Sequence, residues 1–347
     1  MPPVTASPAD ARLALLEAWL CNDLRLSPER VAPASADASF RRYFRVHARA
    51  ESFIAMDAPP GREDLGPFIA VAAALGAIGV NVPAVLESDV ARGFLLLTDL
   101  GSTHYLAALG QGANPDRLYA DAAETLLRIQ SAGAPAALAL PPYDAACLDR
   151  EVQVFPEWFL KRHLELEPDA ALVRLIAAVS ALLAASSLEQ PQVFVHRDYH
   201  SRNLMLTPQR NPGVIDFQDA MRGAITYDLV SLFKDCYIVW PRARVLEWLR
   251  RYRQRALAAG LNAGAHDAEF IRWFDLMGVQ RHLKVLGVFA RLWYRDGKAG
   301  YLQDLPTVLN YVTETAADYP ELDALADFLE SVVVPRFALA QARTNRA

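Results

Sequence analysis

Asp198, Asn203 and Asp216 are the residues whose types and spacing most clearly could do chemistry. A carboxylate such as Asp198 can accept the proton of an attacking hydroxyl. Five positions on, Asn203 offers a neutral amide oxygen, and thirteen beyond it Asp216 offers a second carboxylate. Amide and carboxylate oxygens are the donors that a hard cation such as Mg²⁺ takes, and Mg²⁺ bridges phosphates. One base followed by two hard-oxygen donors suits phosphoryl transfer to an alcohol.

The neighbouring residues must hold these groups in place. The segment reads His196-Arg197-Asp198-Tyr199-His200-Ser201-Arg202-Asn203, and later Ile215-Asp216-Phe217. Its first part has the H-R-D-x-x-x-x-N form of a kinase catalytic loop, where a second Asp holds the metal. Val193-Phe194-Val195 is a β-branched and aromatic run before the loop, and Leu204-Met205-Leu206 follows it. A turn-rich stretch at 207–213 and then Val214-Ile215 lead into Asp216. The order is strand, loop, strand, turn, strand over about residues 193–216, with Asn203 and Asp216 on adjacent strand ends. The bland alternative, turn formers at 198 and 203 and a cap at 216, is outweighed by the joint pattern.

With 347 residues, 53% hydrophobic and 22% charged, the chain can fill two lobes with cores. The net charge of −5 and the lack of a long basic run argue against a nucleic-acid partner. No stretch of about 18 uncharged apolar residues exists, so no membrane span is expected. Residues 1–10 lack the basic and apolar regions of a signal peptide. Cys21, Cys147 and Cys236 fit neither a zinc spacing nor a disulfide framework. A cytoplasmic monomer is the expectation.

Ser7-Pro8 and Ser27-Pro28 read as helix starts, with Ser as cap and Pro at the first helical position. The first helix carries Leu13, Leu16, Trp19 and Leu20 on one face. Strand-like runs follow at 43–46, 52–57, 83–87 and 94–98, with a helix near 64–78. This is an antiparallel sheet with helical cover, an α+β lobe over 1–98. A hinge at 99–101 leads to a mainly helical lobe, 102–347, that contains the catalytic β insert. Its expected helices start at Asn114-Pro115, span 148–164 and 171–188, and run from Tyr227 almost to the end. A small antiparallel β lobe, a larger helical lobe and a ligand cleft between them make a protein-kinase-like, two-lobed α+β fold.

Over most of its length the chain resembles the aminoglycoside phosphotransferase and choline kinase-like superfamily, a branch of the protein-kinase fold. That family's H-x-D-x-x-x-x-N loop and I-D-[FW] motif are matched by His196, Asp198, Asn203 and Ile215-Asp216-Phe217. The resemblance implies ATP and Mg²⁺ as cofactors, Asp198 as base and Asn203 and Asp216 as metal ligands. The family's hinge pattern is matched by Leu97-Thr98-Asp99-Leu100, implying that the Thr98 carbonyl and the Leu100 amide meet the adenine edge. Tyr227-Asp228-Leu229 fits the family's later Asp-Leu pair, and Asp228 reads as structural.

Five stretches are similar, more narrowly, to bacterial cell-wall-recycling sugar kinases. They begin at Ala38-Ser39-Phe40-Arg41-Arg42, Met56-Asp57-Ala58, Asp216-Phe217-Gln218-Asp219, Tyr227-Asp228-Leu229-Val230 and Gln280-Arg281-His282-Leu283-Lys284. This resemblance implies phosphorylation of the anomeric hydroxyl of N-acetylmuramate and N-acetylglucosamine. A kinase of another small molecule, of the aminoglycoside, choline or homoserine type, or a non-catalytic pseudokinase are the competing readings. Glu151, Trp158 and Arg281 are the candidate sugar contacts: hydroxyl ligand, stacking ring and partner of the lactyl anion. A core Trp and a solvated helix arginine are the plain alternatives.

Two kinase parts are missing. The first hairpin, 35–46, has no Gly, and the strand that should carry a phosphate-pairing Lys reads Phe53-Ile54-Ala55-Met56-Asp57. Arg41 and Arg42 stand where the phosphate-covering loop belongs, and arginine can grip phosphate bidentately.

Overall fold

A computed structural model describes residues 10–36 and 40–344. Ser7-Pro8 and Ala38-Ser39 lie outside the described residues. Residues up to Tyr105 together with Leu204–Asp219 form one compact unit, and Leu106–Asn203 with the chain from Ala220 onward form the other. The sequence reading keeps 204–216 in the second lobe; in the structure this segment groups with the first.

The first unit is built on a five-stranded antiparallel sheet. Its strands are β1 (Arg30–Ala36), β2 (Arg42–Ala48), β3 (Glu51–Asp57), β4 (Val85–Asp89) and β5 (Phe94–Thr98), in the order β1-β2-β3-β5-β4. Alternation along β2 buries Phe44 and Val46 and turns Arg45 the other way. Phe44 and Val46 meet Ala55, Phe94 and Leu96 under Leu16, Trp19 and Leu20 of the first helical segment, which starts at Ala11 with Asp10 as its cap. Ser27-Pro28 starts no helix: it leads into β1, a strand the sequence reading missed. Arg-Val-Ala-Pro-Ala-Ser-Ala is a weak strand former, and pairing with β2 decides its conformation. Pro33 is tolerated because β1 is the sheet edge and the register shifts between Pro33 and Ser35.

Leu204–Met205 and Gly213–Val214 pair antiparallel in this unit, and Phe217 packs on Phe68 with ring centroids 5.0 Å apart. A Cβ on Gly213 would come within 2.9 Å of Leu100 Cδ1, so the end of the hinge rests closely against this pair.

The second unit is mainly helical around the 28-residue helix Asp267–Tyr294. Leu276, Val279, Leu283 and Leu286 of that helix share a core with Phe155, Phe159, Ile176, Leu183 and Val308. The helix expected over 148–164 is split into Ala145–Val152 and Phe155–His163. Pro156 near the start of the second piece lacks the N–H that an unbroken helix would use. At Gly287 a Cβ would lie 2.4 Å from the Val154 carbonyl carbon, so only glycine allows this approach. That backbone contact brings the long helix against the segment just after Glu151. The helix Ala170–Glu189 is long and apolar enough to cross a membrane by length and composition alone; Leu172, Ile176, Val179 and Leu183 place it in this core.

Candidate active site

The catalytic loop belongs to the second unit and follows the strand Gln192–Val195, which pairs with Met221–Ala224. The fully buried carboxylate of Asp228, in the helix Tyr227–Phe233, accepts from the amides of His196 at 2.6 Å and Arg197 at 2.9 Å. These bonds hold Arg197 at φ +79°, a costly conformation for a residue with a side chain. Asp228 is therefore a brace for the loop. Asp235 plays the same part further on, accepting from the amides of Ser201 at 2.9 Å and Tyr237 at 3.0 Å. The Tyr199 hydroxyl, fully buried, donates to the Ala122 carbonyl at 2.9 Å.

Asp198 itself carries no such load. Among the described residues, no group donates to its carboxylate; its amide donates to His196 Nδ1 at 3.3 Å and its carbonyl accepts from Asn203 Nδ2 at 3.0 Å. Burial would push its carboxyl up, but the nearby cations Lys284, Arg281 and Arg197 hold it below the usual carboxylate range. His200 also lies close, yet burial depresses its own pKa, so its ring is neutral near pH 7 and the three permanent cations matter more. An ionised carboxylate left open by the protein is what a general base for a hydroxyl requires.

The bond from Asn203 Nδ2 into the loop fixes the amide's orientation: the nitrogen is used internally, and the oxygen is the atom a cation would take. Asp216 belongs to the first unit, two residues past Gly213–Val214, with φ +66°, a region that Asp tolerates better than most residues. Gln218 Nε2 donates to Asp216 Oδ1 at 2.7 Å. The donor chemistry of Asn203 and Asp216 fits Mg²⁺ and not zinc, and among the described residues no cluster of three or more His, Cys, Asp or Glu could hold a metal alone.

At the hinge, Thr98 closes β5 with its amide donating to the Ala84 carbonyl at 3.0 Å and its hydroxyl accepting from the Ala84 amide at 2.9 Å. Asp99 is tied down by Arg45 Nε at 2.7 Å and the Gly101 amide at 2.9 Å, which sets the turn that carries Leu100.

Arg42 is not a spare cation. Its Nε donates to the buried Asp57 at 3.1 Å and its Nη2 to Asp10 at 3.2 Å, while Arg12 Nε donates to Asp57 at 3.0 Å. The reason is local: the strand that lacks Lys ends in a buried Asp57, whose charge needs arginine partners. Arg41 lies 3.7 Å from Glu63. Glu151 is likewise committed. Its carboxylate accepts from Arg197, from the Tyr143 hydroxyl and from Lys284 Nζ, the last at 2.9 Å, so it is not held out to a sugar. Trp158 is partly buried against the core of the second unit. Arg281 is 4% exposed, which corrects the alternative of a solvated arginine. Sequence reasoning missed Lys284, which also donates to the Tyr227 hydroxyl at 3.2 Å. The signal was its place one helical turn after Arg281.

Comparison with known proteins agrees with this geometry. The chain belongs to the phosphotransferase enzyme family, whose model matches residues 30–269. It is an enzyme of the phosphotransferase class. More particularly, it is 46% identical over 333 residues to the N-acetylmuramate/N-acetylglucosamine kinase of Pseudomonas aeruginosa, covering 93% of this chain and 97% of the relative. It is 47% identical to the enzyme of that name from Pseudomonas putida, covering 92% and 96%. The Neisseria meningitidis relative of that name is 44% identical, covering 86% and 90%. Among solved structures the choline kinase LicA from Streptococcus pneumoniae has a TM-score of 0.61 at 14% identity, covering 89% of this chain and 100% of that one. The ADP-bound aminoglycoside phosphotransferase APH(2'')-Ib has a TM-score of 0.54 at 12% identity, covering 87% and 98%. These structural likenesses establish the protein-kinase-like fold expected from the sequence.

Proposed function

We propose that this enzyme uses ATP and Mg²⁺ to phosphorylate the anomeric hydroxyl of N-acetylmuramate and N-acetylglucosamine, and acts in cell-wall recycling as a cytoplasmic monomer. Near-full-length kinship at 46% identity with a kinase of that name carries the acceptor assignment. The open carboxylate of Asp198 supports the chemistry. Asp198 orients the C1 hydroxyl and takes its proton as the phosphoryl group transfers, a role worth about 10²–10⁴-fold in rate. The Asn203 oxygen and the Asp216 carboxylate would hold Mg²⁺, which neutralises phosphate charge when bound. The Thr98 carbonyl and the Leu100 amide would meet the adenine edge. Arg41, 3.7 Å from Glu63, is kept as the candidate phosphate contact of the first hairpin, beside Arg42, whose guanidinium meets Asp57 and Asp10. Lys284 and Arg281, close to Asp198, would supply positive charge on the acceptor side.

A coupled ADP-release assay with N-acetylmuramate, N-acetylglucosamine and kanamycin tests the acceptor. Turnover of both sugars and not of kanamycin is expected. Turnover of kanamycin alone would refute the assignment.

A further inference from the structure

Arg281 sits in the middle of the helix Asp267–Tyr294, 4% exposed. A buried guanidinium has five N–H donors to satisfy. Here its one hydrogen bond within the described protein runs from Nη1 to Cys236 Sγ at 3.7 Å, and its Nε is buried without a partner. The neighbouring groups do not make up the deficit. Lys284 gives its ammonium to Glu151 and Tyr227. Asp235 lies close, but its two oxygens accept from the amides of Ser201 and Tyr237. Asp198 is near enough to feel the charge, yet it accepts no hydrogen bond from Arg281. Buried polar groups without partners are costly and rare, and a buried cation without an anion is more costly still. Arg197 differs, because its guanidinium already meets Glu151. Gln280 Oε1 and His282 Nδ1, flanking Arg281 in sequence, are also buried without partners.

Arg281 thus combines charge, burial and unused donors next to the base that must receive the acceptor. It lies in the same unit as Asp198, whereas Asp216, which would meet the nucleotide's metal, lies in the other. We infer that Arg281 receives the carboxylate of an acidic acceptor, the lactyl group of N-acetylmuramate, and thereby sets the preference of the site between acidic and neutral N-acetylated sugars. The inference rests on the acceptor class proposed above. Guanidinium pairs planar carboxylates through parallel N–H bonds, which an ammonium cannot reproduce.

The experiment compares KM for N-acetylmuramate and for N-acetylglucosamine at saturating ATP in wild type, Arg281→Lys and Arg281→Gln. Because KM does not depend on the active fraction, partial misfolding does not mimic the result. Loss of one charge-assisted contact predicts a rise of roughly 10–100-fold in KM for N-acetylmuramate in Arg281→Gln, with KM for N-acetylglucosamine within about 3-fold of wild type. Arg281→Lys keeps the charge and loses the fork, so an intermediate, still sugar-selective rise is expected, and it carries the test should Arg281→Gln not fold. A parallel rise on both sugars, or a fall in kcat with both KM values unchanged, would overturn the inference and assign Arg281 to the phosphoryl group or to Asp198. Wild-type protein inert toward both sugars would instead overturn the acceptor assignment, and the inference with it.

Discussion

In the first unit, Asp57 is fully buried and accepts from Arg12 and Arg42, and Arg42 reaches on to Asp10. Each guanidinium there meets a carboxylate. In the second unit, Arg197, Arg281 and Lys284 gather around Asp198, and none of them donates to it. Arg197 Nε, His200 Nδ1, Ser201 Oγ and Arg281 Nε are buried there without a partner among the described residues. Both clusters use arginine and aspartate, but the first is closed and the second open. A closed cluster has nothing left to offer a ligand and serves to hold β2, β3 and the first helix together. An open one costs stability, and that cost is understandable where a substrate completes the bonding.

The largest break in this contrast is Asp198→Asn. Turnover should fall by about 10²–10⁴-fold with Mg-ATP binding near normal, as read by steady-state kinetics and calorimetric titration. Wild-type turnover in this variant would remove Asp198 from its role.

A second test concerns a buried histidine in the core of the second unit. Burial pushes His163 down to about 4, with its Nδ1 3.2 Å from the Tyr294 hydroxyl. The unfolded chain therefore takes up a proton near pH 6.5 that the folded chain refuses until about pH 4. The stability is complete above pH 6.5 and is lost as pH falls toward 4, by on the order of 3 kcal/mol. Denaturant melts from pH 7 to 4 should show this slope, and His163→Phe should flatten it.

Asp57→Asn should open the closed cluster. Arg12 would keep its charge without a carboxylate partner and Arg42 would keep only Asp10, costing roughly 2–3 kcal/mol, less than a fully buried pair because both side chains reach water. Chemical denaturation measures this, and sugar KM values should stay unchanged.

The smallest expected effect is on ATP in Arg42→Ala. A closed cluster predicts an unchanged ATP KM and a stability loss of about 1 kcal/mol, since Arg42 is partly exposed. A raised ATP KM would return Arg42 to the phosphates.

The reactive residues were legible because their chemistry is local. The spacing from Asp198 to Asn203 is set by one loop, and the short strands beside it carry plain hydrophobic runs. The strand β1 was hidden because Ala-Pro-Ala-Ser has little strand character, and its pairing partner decides its fate. The split of the 148–164 helix could be suspected from Pro156, but its value lies in the approach of Gly287 to Val154, a contact across more than a hundred residues. The commitments of Arg42 and Glu151 were illegible for the same reason. A charged side chain reads as available until the partner that the fold brings to it is known. Arg281 shows the converse: the sequence offers a helix arginine, and only burial and a buried Nε without a partner mark it as unusual.

The phosphorus spectrum of the product formed from N-acetylmuramate and ATP tests the central assignment most directly. A phosphate on C1 couples to the single anomeric proton and gives a doublet, which is the result expected if Asp198 serves the anomeric hydroxyl. A phosphate split by the two protons of C6, or no sugar phosphate at all, would contradict it.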